Sequence, residues 1–113
     1  MNVLFIILND LDLLDNILED LYHIGIKGAT IIDSEGMASA LRHEPMFKML
    51  FTGPFQKSDD DQMSKTIFTV IENSDKYDKA VTMVKKHLES SRHHSSGFMF
   101  SVPVSNIYPI SKH

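Results

Sequence analysis

The sequence predicts an α+β domain in the order β-α-β-β-α-β, and three observations carry that reading. Residues 3 to 8 and 66 to 71 are apolar runs rich in β-branched residues, as buried strands are. Residues 11 to 21 and 77 to 88 repeat their apolar side chains at three-and-four spacing, as amphipathic helices do. The breaks between these stretches carry Gly, Asn, Asp and Ser. With 113 residues, the chain is long enough for one domain, 1–113, and too short to give two domains adequate cores.

The first run, Val3-Leu4-Phe5-Ile6-Ile7-Leu8, has no polar alternation and suits a central strand buried on both faces. Asn9 or Asp10 then caps a helix whose apolar face is Leu11, Leu14, Ile17, Leu18 and Leu21 and which Gly25 ends. Asp12, Asp15, Glu19 and Asp20 form its solvated side, two of them near the positive helix N-terminus. The second strand is Gly28-Ala29-Thr30-Ile31-Ile32-Asp33, closed by Ser34-Glu35-Gly36. The third is Thr66-Ile67-Phe68-Thr69-Val70-Ile71-Glu72. Ser74 or Asp75 is expected to cap the second helix, with Tyr77, Ala80, Val81, Val84 and Leu88 on one face and Lys85, Lys86 and His87 near its end. Phe98 to Val102 makes the fourth strand, after which Pro103 offers no ladder donor.

Two such units place both helices on one face of a four-stranded antiparallel sheet, the ferredoxin-like arrangement. Strands two and three are separated by a long segment, 37–65, where a hairpin would use two to five residues, and loops of that length usually carry function. Its first part, from Ala40 to Phe51, is apolar enough for a helical turn or two. Gly53 to Asp61 reads as polar and mobile. Residues 105–113 form a C-terminal tail.

Composition narrows the function classes. The apolar fraction is 42%, in keeping with a folded globular chain. The net charge of −4 lacks the cationic field that nucleic acid attracts. Zero cysteines exclude disulfides and thiolate metal sites. The apolar start stops at Asn9, short of the ~20 residues a membrane span needs, so the expectation is a cytoplasmic protein with no membrane span. No nucleophile elbow, Walker loop or zincin motif is present, and no nucleophile-base pair is apparent, so the chain is expected not to be an enzyme.

Three stretches resemble one family. Gly25-Ile26-Lys27-Gly28-Ala29-Thr30-Ile31 is similar to a G-x-x-G-x-T-V segment, Lys65 before Thr66-Ile67-Phe68-Thr69-Val70 to a lysine leading into strand three, and Gly97-Phe98-Met99-Phe100-Ser101-Val102-Pro103-Val104 to G-K-I-F-V-x-P-V. In this order on these elements, they resemble the PII signalling proteins. The resemblance spans nearly the whole chain. It implies a ferredoxin-like homotrimer, a long partner-binding loop between strands two and three, and a ligand cleft between subunits.

Carried across residue by residue, that cleft involves Gly36, Met37, Ser39, Lys65, Gly97 and Phe98. The family holds adenine nucleotide phosphates with a lysine after the glycine turn, an arginine at the loop base and two C-terminal arginines. Here those positions are Phe98, Ser39, Pro109 and Ser111, and the family's glutamine is Ala40. A charge-assisted hydrogen bond contributes about 1.5 to 3 kcal/mol, so the resemblance implies weak adenine nucleotide binding at most, with cofactors left unknown. Arg92, His93 and His94 precede the turn.

The expected function is therefore a non-enzymatic PII-like signalling or adaptor protein with a small-molecule effector and a regulatory target protein. Met46, Phe47, Leu50 and Phe51 are the expected partner-binding residues, because Met- and Phe-rich surfaces repack around different ligands. Burial of the same residues against the trimer's own core is the other reading. The alternative function is a CutA-like trimeric metal-binding protein, for which His93 and His94 would need Glu89, Asp33 or another subunit's His87 to complete a ligand set. No such set is evident, and no metal site is assigned.

Overall fold

The computed structural model describes residues 1–41, 63–93 and 95–110. In chain order its elements are β1 (Asn2–Leu8), a 3-10 turn (Leu11–Leu13), α1 (Leu14–Ile24), β2 (Thr30–Ser34), α2 (Met37–Leu41), β3 (Ser64–Ile71), α3 (Ser74–Ser90) and β4 (Gly97–Pro103). The strands form one antiparallel sheet in the order β2-β3-β1-β4. This is the ferredoxin-like arrangement that the sequence predicts.

Pleating sorts the strand residues onto two faces. On one face, Leu4, Ile6 and Leu8 of β1 and Ile67 and Ile71 of β3 pack with Ile17 and Leu21 of α1 and Ala80 and Val84 of α3 to make the core. The two helices are joined at the outside by His87 Nε2 and Asp20 Oδ2, 2.7 Å apart. The Tyr77 hydroxyl meets the Ser101 hydroxyl at 2.8 Å and ties α3 to β4.

The opposite face carries neither α1 nor α3, whose buried residues all pack on the first. Register places Val3 between Val70 and Val102, Phe5 between Phe68 and Phe100, and Ile7 between Thr66 and Phe98. The Phe5 and Phe100 rings stack with centroids 4.9 Å apart, and Phe68 lies 5.7 Å from Phe5. Phe98 is 57% exposed and Phe100 44%. The expectation that β1 is buried on both faces is therefore corrected: within the described chain its residues alternate between buried and half-buried. An unbroken apolar run records that both faces avoid water, not that one chain covers both.

The local signals mostly hold. Asp10 caps the 3-10 turn by accepting from the Asp12 N–H at 3.1 Å. Gly25 ends α1 with φ 106°, and the paired bonds Gly25 N–H to Tyr22 O and Ile26 N–H to Leu21 O make the left-handed cap that glycine favours. The expected cap of α3 is corrected by one residue. Asn73, not Ser74 or Asp75, is extended and accepts from the Lys76 N–H at 2.9 Å, because its side-chain oxygen reaches the third N–H of the helix. Strand β2 starts at Thr30 rather than Gly28, and a short helix opens at Met37, ahead of the expected Ala40.

Candidate functional site

One end of the sheet gathers the expected ligand residues. There β1 finishes at Leu8, which is flanked by Lys65 on β3 and Gly97 on β4. One strand further out, Asp33 on β2 pairs with Lys65. Gly36 and Met37 follow directly, both exposed, whereas Ser39 on α2 is buried.

Gly97 is required by the backbone approach at this end. Its φ is 146°, and a Cβ built there would lie 2.3 Å from the Ile7 carbonyl oxygen. No side chain fits that gap without moving one strand.

The six residues do not share one face of the chain. Lys65 and Gly97 both stand opposite Leu8, on the helix-covered side, while Phe98 stands opposite Ile7, on the open side. Nor is the Lys65 ammonium free, because its Nζ lies 2.5 Å from Asp33 Oδ1. Around it on the open side, the Ser34 and Ser64 hydroxyls meet at 2.7 Å and Thr66 Oγ1 reaches Ser34 Oγ at 3.0 Å. Met46, Phe47, Leu50 and Phe51 lie outside the described residues, as does His94.

Three cavities among the described residues lie away from this end. A groove of about 720 Å³ runs between α1 and α3 past Asp20, His23, Met83 and His87. Another, about 350 Å³, is walled by Gly25 to Gly28, Thr69 to Asn73, Lys76 and Ile107. A third, about 420 Å³, lies under β4 beside Tyr77, Val81 and Leu88. None contains any of the six expected ligand residues. The second includes Gly25 to Gly28, part of the glycine-flanked stretch that carries the family resemblance.

The sequence also missed a cluster behind Gly97. Asp10, Asp12 and His93 bring their ligating atoms within 4.8 Å of one another. Asp10 is 5% exposed and receives the Ser91 hydroxyl on Oδ2 at 2.6 Å, while His93 Nε2 stands 3.5 Å from Oδ1. The Asn9 and Asp10 N–H groups both donate to the Ser96 carbonyl. The residues weighed as partners for His93 are engaged elsewhere, His87 with Asp20 and Asp33 with Lys65. The available signal was Asp10-x-Asp12 at the end of β1, read as helix capping and surface.

The sheet order and the glycine-led β4 define a ferredoxin-like protein with a long insertion after β2. The family model for nitrogen regulatory protein P-II matches residues 1–113, so the chain belongs to the P-II family of regulatory proteins. A search of curated proteins finds no match. Among solved structures, the chain is similar to the crystal structure of Arabidopsis thaliana PII bound to citrate, with a TM-score of 0.60 and 16% identity over 92% of this chain and 77% of that one. At that identity the likeness speaks for the fold. Nothing in the comparisons supports the CutA-like alternative. Among the described residues no helix is long and apolar enough to cross a membrane.

Proposed function

We propose that the chain is a non-enzymatic, homotrimeric signalling or adaptor protein of the P-II family whose effector is not held by the ordinary phosphate contacts. The observation that carries the trimer is the open sheet face. Val3, Phe5, Ile7, Phe68, Val70, Phe98, Phe100 and Val102 form one contiguous apolar surface by register, of a kind that single soluble chains rarely leave in water. A homotrimer that packs these faces together would remove it from solvent.

The same arrangement accounts for the split of the six ligand residues. Lys65 and Phe98 start from opposite faces, and a cleft between subunits would bring them together from two chains. Gly36, Met37, Ser39, Lys65, Gly97 and Phe98 are the proposed lining. Lys65 already holds Asp33, and Phe98 and Ser39 supply no charge, so ATP and ADP bind weakly and the effector is a different small molecule. Citrate, present in the similar Arabidopsis structure, is one anion to include among candidates. The long segment, through Met46, Phe47, Leu50 and Phe51, is the proposed contact with a regulatory target protein, and the compartment is the cytoplasm.

A thermal-shift screen of nucleotides, carboxylates and amino acids tests this reading, because a ligand that binds only the folded state raises its melting temperature by mass action. The expected result is little shift with ATP and a larger one with a ligand of another class. A low-micromolar ATP affinity by calorimetry would contradict it.

A further inference from the structure

The geometry points to a divalent transition-metal site made by Asp10, Asp12 and His93, at the junction of β1 and the turn that leads into β4. The three residues come from two segments more than eighty positions apart in the chain, and their ligating atoms converge within 4.8 Å. A mixed carboxylate and imidazole set of this kind suits first-row divalent ions such as Zn2+ and Mn2+, with water completing the coordination.

Two features separate this cluster from a set of surface acids. Asp10 is a carboxylate buried to 5% exposure, and burial of that charge is costly unless it is balanced. Its oxygens accept the Asp12 N–H and the Ser91 hydroxyl, both neutral donors, and its one ion-pair partner among the described residues is an imidazole 3.5 Å away, which is charged only when protonated and is too distant for a good hydrogen bond. A dication would balance Asp10 and Asp12 together and leave His93 neutral, as a ligand must be. The second feature is the support behind the ligands. Ser91 Oγ donates to Asp10 Oδ2 at 2.6 Å and accepts the backbone N–H of His93 at 3.0 Å, so one hydroxyl orients the Asp10 carboxylate and ties it to the backbone that carries His93. Outer-shell bonds of this type fix ligand direction in metal sites.

The ion would fasten residues 91 to 93 to the end of β1, beside the Ser96 carbonyl that accepts from Asn9 and Asp10, and so brace the turn immediately before Gly97. This does not depend on the nature of the small-molecule effector.

The test is calorimetric titration of the EDTA-treated full chain with ZnCl2 and with MnCl2, beside Asp12→Asn, His93→Gln and Ser91→Ala. The expected result is saturable binding of one ion per chain, weakened at least about tenfold in each variant. Asp12 is exposed and His93 half-buried, so these two variants are expected to keep the fold, which circular dichroism checks. Mn2+ broadening of wild-type amide signals at residues 10 to 12 and 91 to 93 locates the ion without any variant. Absence of saturable binding would overturn the site. So would unchanged affinity in both Asp12→Asn and His93→Gln, or Mn2+ broadening confined to other residues.

Discussion

Lys65 on β3 and Asp33 on β2 stand opposite each other in the sheet register and are joined by an ion pair of 2.5 Å. Lys65 is the one cation among the six proposed cleft residues, and a neighbouring strand's carboxylate neutralises it. Both side chains are partly exposed, at 31% and 69%, so the pair adds no more than about 1 kcal/mol to stability. Its consequence is for binding. Asp33→Asn is expected to cost under about 1 kcal/mol in denaturant unfolding and to strengthen the weak binding of ATP by no more than about fivefold. Parallel calorimetry checks this, and weaker ATP binding in the variant would contradict it.

Gly97 is expected to tolerate no side chain. Gly97→Ala brings a Cβ to 2.3 Å from the Ile7 carbonyl oxygen and holds alanine at a φ of 146°. Strain and overpacking together should destabilise the protein by about 2 to 4 kcal/mol, measured by denaturant unfolding. A loss below about 1 kcal/mol would mean that β4 can move away from β1 freely.

Asn73 and Ser74 separate two readings of where α3 begins. Asn73→Ala removes the bond to the Lys76 N–H and should cost about 1 kcal/mol, whereas Ser74→Ala should cost a few tenths at most. The reverse order in thermal unfolding would restore the cap to Ser74.

The long segment gives a prediction that joins sequence to function. Replacing Phe47 and Phe51 together by serine should abolish capture of a target protein while leaving the trimer and its melting temperature nearly unchanged. Side chains buried in the protein's own core would instead contribute roughly 1.5 to 3 kcal/mol each, so a fall of several kcal/mol in the isolated double variant would assign them to the core.

The sequence made the fold legible because its signals were local and periodic. Residues 3 to 8 of β1 form one apolar run, Ile17 and Leu21 share one face of α1, and Gly25 ends that helix at no steric cost. The position of the Asn73 cap was less legible, since Asn, Ser and Asp all cap well and stand in succession. The cover of the open face was legible only in part. Val3, Phe5 and Ile7 are as apolar as their buried neighbours, and hydrophobicity does not say whether the cover comes from the same chain or another. The cluster at Asp10, Asp12 and His93 was invisible in one dimension, because β1 and the turn before β4 meet only through sheet pairing. The split of Lys65 and Phe98 between faces likewise follows from register, not from spacing.

Sedimentation velocity at micromolar concentration is the most direct test of the central proposal, that the phenylalanine face is covered by copies of the same chain. The wild type should sediment as a trimer. Phe100→Ser, which removes a ring 44% exposed in the single chain and stacked on Phe5 at 4.9 Å, should shift the population toward folded monomer. A wild-type protein that sediments as a stable, folded monomer would contradict the account.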